Sequence, residues 1–399
     1  YEKNPAKNVM LPVFATKKHV AVEQRSDDLA AWAESCSLNR VEDNGSDMGV
    51  IAAGSVYQYA REALGDTVSY LKLGLINPLP EKLIRDFAAK VKKLYVIEEL
   101  DPIIENYCKK LGIAVIGKEL FPRCGEYSQS VVRRCVLGEE PETMQVESAI
   151  PGRPPVMCCG CPHRGVFYTL KKLGVYVSGD IGCYTLGATA PLSAMDTCVC
   201  MGASVSALHG YNKAIGEKAE KKSVAVIGDS TFIHSGITGL IDIAYNKSNS
   251  VVIVLDNSIT GMTGHQQNPT TGYTIKGDPT SAVNLEALCH AVGINRVRVC
   301  DPYNLAETES VIREELEAEE PSVVIARRPC ALLKYVKHSA PLHVDQNECI
   351  GCKRCLSIGC PAISIHDKKA VIDYTQCVGC GVCEGLCPKH AIKAQEAAK

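Results

Sequence analysis

Residues 223–266 read SVAVIGDSTFIHSGITGLIDIAYNKSNSVVIVLDNSITGMTGHQ. The apolar run Val224–Ile227 is short and unbroken, the pattern of a strand buried on both faces of a parallel sheet. It stops at Gly228-Asp229-Ser230, and a helical spacing follows over Gly236–Asn246. A second run, Val251–Leu255, ends in Asp256-Asn257. Both polar turns therefore fall at the carboxyl ends of neighbouring strands, the edge at which open α/β sheets bind ligands.

The two turns offer complementary oxygens. Asp229 supplies an anionic one and Asn257 a neutral one, and the backbone carbonyl of Ile259 makes a third. Mg²⁺ completes a near-octahedral shell from such a set with two diphosphate oxygens and a water. The helix after Gly228 points its free N–H groups at the same diphosphate. Either turn alone is an ordinary polar turn after a strand. Together, with 25 residues between them (231–255), they resemble the GDG…N motif of thiamine diphosphate enzymes.

The 399 residues leave room for two or three domains. A formal charge of −2 gives no electrostatic footprint for nucleic acid. An apolar content of 46% with mean hydropathy of −0.01 suits a globular protein. No apolar run approaches the ~18 residues of a spanning helix. The N-terminus YEKNPAKN has neither an initiator Met nor an apolar signal core. The expectation is a cytoplasmic protein without a membrane partner, in which Tyr1 is not the natural start. Twenty-one cysteines, many in CxxC groups of a long chain, point to metal in a reducing compartment rather than to disulfides.

Residues 1–45 read as a linker or the end of an upstream domain, with one helix over Asp27–Asn39. Residues 46–138 alternate as a parallel α/β domain, with strands at Met48–Ala53, Val68–Leu71, Leu94–Ile97 and Ile113–Ile116. Helices fall between them at Val56–Leu64, Pro80–Val91 and Pro102–Leu111, and Glu98-Glu99 reads as a solvated strand end. Gly138–Pro155 is a linker. Residues 151–335 form a second α/β domain. Its further strands are expected at Val156–Met157, Val175–Ser178, Thr197–Met201, Val297–Val299 and Val323–Ala326, with a helix over Glu307–Glu320.

Three turns of this second domain carry cysteines: Cys158-Cys159-Gly160-Cys161, Gly182-Cys183 and Pro329-Cys330. Parallel strands would bring them to the edge that holds Asp229 and Asn257, where Cys158, Cys161, Cys183 and Cys330 would make a four-thiolate site for Zn²⁺ or a [4Fe–4S] cluster. Scattered buried thiols are the alternative, and Cys198, Cys200, Cys289 and Cys300 lie in apolar runs that read as core.

Residues 340–399 hold Cys349-x2-Cys352-x2-Cys355-x4-Cys360-Pro361 and Cys377-x2-Cys380-x2-Cys383-x3-Cys387-Pro388. This is the bacterial two-cluster ferredoxin rule, in which the fourth Cys of each run serves the other cluster. Cys349, Cys352, Cys355 and Cys387 would hold one [4Fe–4S], and Cys377, Cys380, Cys383 and Cys360 the other. The extra residue before Cys360 departs from the usual spacing. Zinc is the alternative metal. Short strands are expected at Ile363–Ile365 and Val371–Asp373.

A diphosphate site, a four-Cys site beside it and a ferredoxin tail together resemble the 2-oxoacid:ferredoxin oxidoreductases. CGCPHR (159–164), SGDIGCYTLG (178–187), GDSTFIHSG (228–236) and LDNSITGMTGHQ (255–266) are similar to the indolepyruvate ferredoxin oxidoreductase alpha-subunit family. The resemblance implies a fold of two parallel-sheet α/β domains, transketolase-C-like and thiamine diphosphate-binding, plus the small two-cluster ferredoxin module. It implies oxidative decarboxylation of an arylpyruvate to the aryl-acetyl-CoA, with thiamine diphosphate, Mg²⁺ and [4Fe–4S] clusters as cofactors. The implied partners are a beta subunit, ferredoxin, coenzyme A and the 2-oxoacid. Gly182, Gly228, Ser230, Thr231, Thr263 and Gly264 would line the cofactor, and His163, His209, His234 and His265 lie in or near these motifs. Cys159 stands where the family usually has Pro and is expected to point away from the four-thiolate centre. The family's pyrimidine-binding domain and its activating Glu have no counterpart in this sequence, so no catalytic residue is assigned and the chain is expected to be inactive alone. An electron-transfer subunit with a non-catalytic thiamine fold, or an enzyme for another 2-oxoacid such as pyruvate, remains an alternative.

Overall fold

Apolar runs that bury both faces should become interior parallel strands. A computed structural model describes residues 1–140, 142, 144, 149–150 and 152–394, in two units, Tyr1–Ile150 and Pro151–Lys399.

In the first unit, helices α1 (Pro5–Asn8) and α2 (Pro12–Ala33) precede β1 (Arg40–Glu42) and β2 (Met48–Ala53). Then come α3 (Gly54–Leu64), β3 (Ser69–Leu73), α4 (Glu81–Ala88), β4 (Lys93–Ile97), α5 (Ile103–Lys110) and α6 (Gln129–Leu137). The sheet order is β1-β3-β2-β4, with β1 antiparallel and the rest parallel. Three expectations change. The helix expected over Asp27–Asn39 lies instead at Pro12–Ala33, with only Ala33 buried along it. The strand expected over Ile113–Ile116 is an isolated bridge from Ile116 to Tyr95. Glu98 is not merely solvated: its carboxylate accepts from the backbone N–H groups of Ile103, Ile104 and Glu105 and so caps α5. Glu99 likewise accepts from the Tyr127 N–H.

The second unit starts with α7 (His163–Leu173), β5 (Tyr176–Gly179), β6 (Thr197–Cys198), α8 (Ala203–Ile215) and α9 (Glu217–Glu220). β7 (Ser223–Gly228) runs into α10 (Asp229–Thr231), which continues through one π-type turn into α11 (Ile237–Asn246). β8 (Val251–Asp256), α12 (Leu285–Ala291), β9 (Arg296–Cys300), α13 (Leu305–Leu316) and β10 (Ser322–Arg327) complete the domain. Its six strands are all parallel, in the order β6-β5-β7-β8-β10-β9.

Alternation along β7 and β8 divides the core. Val224, Val226, Val251 and Ile253 pack against Phe167 and Leu170 of α7 and Ile312 of α13. Ala225, Ile227, Val252 and Val254 pack against Leu208, Leu240 and Leu285 of α8, α11 and α12. Both faces are covered, which is why these strands read as unbroken apolar runs. The strand expected at Val156–Met157 does not form; that segment leads extended into the cysteine turn before α7. β6 keeps only two of its expected five residues, so Cys198 and Cys200 are exposed rather than core, whereas Cys289 and Cys300 are buried.

The tail forms β11 (Leu342–Val344), β12 (Ile363–His366), β13 (Lys369–Ile372) and β14 (Ile392–Ala394) as two antiparallel pairs. Parts of the linker (141, 143, 145–148, 151) and of the tail (395–399) lie outside the described residues.

Gly165 shows how closely α7 is seated. A Cβ added there would stand 1.8 Å from the carbonyl oxygen of Pro302. Gly165→Ala is expected to destabilise the unit by about 1–3 kcal/mol through overpacking. An unchanged thermal unfolding midpoint of the full chain would contradict that seating.

Candidate functional site

Register decides what shares the carboxyl edge. Gly228 pairs with Leu255, and Asp256 with Arg327. The next residues, Asp229, Asn257 and Arg328, therefore leave the sheet side by side. The turn after β5 joins them, and the result is a cleft of about 120 Å³ lined by Gly182, Cys183, Gly228, Asp229, Ser230 and Thr231 on two of its walls. Asn257, Ile259 and Thr263 line it from the third strand. Gly264 does not line it, although Gly261, Met262 and Thr263 of the same turn do; its N–H is turned back to the Gly261 carbonyl at 3.3 Å.

The Asp229 carboxylate is buried and tightly held. Oδ1 accepts from the Ser230 N–H at 2.8 Å, and Oδ2 from Asn268 Nδ2 at 3.3 Å and Thr270 Oγ1 at 3.2 Å. Burial, with the Asp256 carboxylate nearby, pushes its carboxyl up to about 7. A divalent cation would provide the counter-charge that this position lacks, and a carboxylate can still accept a further partner.

Asn257 is fixed by His163, whose Nε2 lies 3.4 Å from Asn257 Nδ2. His163 is buried edge-on against Tyr184, with ring centroids 5.8 Å apart, and burial pushes its imidazole down to about 4. A neutral imidazole accepts from the amide N–H₂, which leaves Asn257 Oδ1 as the free end. Tyr184 and Thr260 also line the cleft, and Thr260 Oγ1 donates to Ser230 Oγ at 2.8 Å. Neither signals itself in the sequence; nor do Asn268 and Thr270, which hold Asp229 from a long loop. His209 faces Asp242 at 3.4 Å on helical surfaces, away from the cleft lining.

Cys158, Cys161, Cys183 and Cys330 lie near enough to one another for their thiols to interact electrostatically. Burial, then the Cys158 and Cys330 thiols, raises Cys161, and burial, then Cys330 and Cys158, raises Cys183. Cys330 donates its backbone N–H to the Asn257 carbonyl at 2.9 Å, and its Sγ lies 4.0 Å from His265 Nε2. Cys183 lines the cleft as well, so one thiol belongs to both groups.

In the tail, Cys349, Cys352, Cys355 and Cys387 line one cavity, and Cys360, Cys377, Cys380 and Cys383 line a second. Backbone N–H groups of Leu342 and Ala391 donate to the sulfurs of Cys377 and Cys387 at 3.4 and 3.2 Å. Among the described residues no three His, Cys, Asp or Glu side chains close on a single ion. The thiols surround cavities instead, which fits a multi-iron cube better than one zinc.

The cysteine turns share a local design. Gly160, Gly351 and Gly379 each precede the second Cys of a Cys-x-Gly-Cys turn at φ of +66°, +66° and +65°. A Cβ at Gly160 would stand 2.3 Å from Val378 Cγ2, so the turn before α7 is pressed against its counterpart in the tail. Arg164 ties the same two regions. Its buried guanidinium donates to the carbonyls of Met157, Cys158, Ile358 and Gly359. The tail also rests on Tyr168, Tyr303 and Leu305 of the sheet domain.

A thiamine pyrophosphate enzyme C-terminal TPP binding domain matches residues 180–326, and a 4Fe-4S binding domain matches 370–393. The chain thus carries a domain for thiamine diphosphate and one for iron–sulfur clusters. It is 37% identical to the indolepyruvate oxidoreductase subunit IorA of Archaeoglobus fulgidus, over 98% of this chain and 67% of that protein. The IorA of Pyrococcus horikoshii is also 37% identical, with the same coverage of both. That of Methanothermobacter marburgensis is 35% identical over 99% of this chain and 68% of the relative. The chain spans about two thirds of the length of these relatives.

Arg164→Met would leave four carbonyls without their charged donor, at a cost of about 2–3 kcal/mol. Proteolytic cleavage between residues 331 and 341 is expected to accelerate at least ~10-fold as the tail loosens. An unchanged cleavage rate would show that the guanidinium does not hold the tail.

Proposed function

The chain belongs to the indolepyruvate oxidoreductase subunit IorA family, and from that premise we propose that it serves the oxidative decarboxylation of an arylpyruvate to its CoA thioester. The observation that carries this reading is Cys183, which lines the Asp229–Asn257 cleft and also belongs to the Cys158, Cys161, Cys330 group. A carbon-bond-cleaving cofactor and a one-electron acceptor would then be neighbours.

Asp229, Asn257 and the Ile259 carbonyl hold Mg²⁺ in this reading, and His163 keeps the Asn257 oxygen turned to it. Backbone N–H groups at the start of the Asp229–Asn246 helix orient the diphosphate, with Gly182, Gly228, Ser230, Thr231 and Thr263 around it. Gly228 leaves room there for the Tyr184 ring, 2.6 Å from where a Cβ would sit. Bound thiamine diphosphate supplies the nucleophilic carbon and electron sink for breaking the bond next to a 2-oxo carbon. Cys158, Cys161, Cys183 and Cys330 would hold a first cluster and the two tail sets two more, which would supply one-electron transfer towards ferredoxin. A beta subunit and coenzyme A complete the activity in this reading.

Asp229→Ala is expected to abolish Mg²⁺-dependent thiamine diphosphate binding, measured by calorimetry, and to leave the iron content unchanged. Asn257→Ala should weaken binding less, because it removes a neutral ligand. Undiminished affinity in the Asp229 variant would remove the cofactor site from this cleft.

Cys330→Ala is expected to lower the iron of the reconstituted chain from about twelve atoms towards about eight, with both tail clusters retained. An unchanged iron content would exclude a cluster at the four-thiol group. With the complete subunit assembly, faster turnover of pyruvate than of indolepyruvate would overturn the arylpyruvate assignment.

A further inference from the structure

Five thiols, not four, face the second tail cavity. Cys360, Cys377, Cys380 and Cys383 line it together with Cys159, which lies outside the tail on the turn before α7. Cys159 shares the wall of that cavity with Cys360 and Ala362. It also lies 3.9 Å from Gln376 Oε1. Cys159 thus faces the tail.

A four-iron cube has one protein corner for each of four ligands. Cys377, Cys380 and Cys383 come from one short run, so their corners are fixed together. The fourth corner must be closed from elsewhere, and two thiols stand at it. Cys360 follows a run one residue longer than the ferredoxin rule, and Gly359 takes φ +70° to make that bend. Cys159 is held from the other side, on a turn fixed by Gly160 against Val378 and by the Tyr303 hydroxyl, which donates to the Gly160 carbonyl.

We propose that Cys159 is an alternative ligand for the fourth iron of this cluster and exchanges there with Cys360. The exchange is redox-neutral. An Fe–S bond to Cys159 forms as the bond to Cys360 breaks, and the proton of the Cys159 thiol passes to the departing Cys360 thiolate. Iron keeps its oxidation state. The proposal rests on the reading that these tail cysteines hold a [4Fe–4S] cluster.

The test uses the full chain, reconstituted anaerobically with iron and sulfide. Iron content and the EPR spectra of the oxidised and reduced protein are compared for wild type, Cys360→Ala, Cys159→Ala and the double variant. Each single variant is expected to keep the four-iron cluster, with iron within about one atom of wild type. Only the double variant should lose iron there and show a three-iron signal when oxidised. A Cys360→Ala protein that already matches the double variant would overturn the exchange. Wild type with only one tail cluster would instead overturn the parent reading, and the proposal with it. Alkylation of folded wild-type holoprotein, mapped by peptide mass, covers the case in which a variant does not fold. Label should divide between Cys159 and Cys360; label on Cys159 alone, with Cys360 fully protected, would refute the proposal.

Discussion

Parallel pairing places the chemistry of the second unit. Because β5, β7, β8 and β10 run in one direction, the turns that follow them leave the sheet at one edge. Asp180, Asp229, Asn257 and Arg328 are consecutive exits along it. No local interaction could bring Cys183 and Cys330, so far apart in sequence, to the same place. The ladder does so as a by-product of burying Val224–Ile227 and Val251–Leu255 on both faces. The cost appears at the edge itself: Asp180, Asp229 and Asp256 are all buried there, and among the described residues only Asp256 has a cation, Arg327 at 2.7 Å. Asp180 accepts from the backbone N–H groups of Ile181, Gly202 and Ser204. Of the two without a cation, Asp229 is the one that lines the cleft, which is what a metal position needs.

Arg164 does for the two metal-bearing regions what the ladder does for the cleft. A guanidinium presents a planar fan of donors, so one side chain can satisfy carbonyls from both the 157–158 segment and the 358–359 loop. Lysine could not span that geometry. The tail cysteines are local in sequence, which implies a free-standing module, yet the module leans on α7 and on Tyr303. Its boundary in sequence is therefore sharper than its boundary in energy.

The sheet domain was legible because its strands are apolar throughout and its turns polar. The same logic explains the failures. α2 has one buried residue in twenty-two, so no periodic face marked it, and its expected position slipped towards Trp32. Val156–Met157 and Val199–Met201 are apolar without being paired, since composition records burial or exposure poorly in segments this short. In the site, Asp229 and Asn257 announced themselves by position after strands. His163, Tyr184 and Asn268 did not, because their roles come from contacts across the edge rather than from spacing. The cysteine runs were the clearest text of all, but the direction in which Cys159 points depends on a neighbour more than two hundred residues away.

The close seat of Gly160 on Val378 bears on how such a tail could be exchanged between proteins. A ferredoxin module joined by a flexible tether could be swapped for any relative of similar potential. Here the receiving turn has no side chain at the point of contact, and the module offers a branched one that fills the gap. Knob and socket must change together, so an interchange of tails between distant homologues would carry a steric mismatch of a single methyl group into the junction between metal sites. Gly160 and Val378 thus act as a matched pair, and the junction tolerates a change at one only with a change at the other.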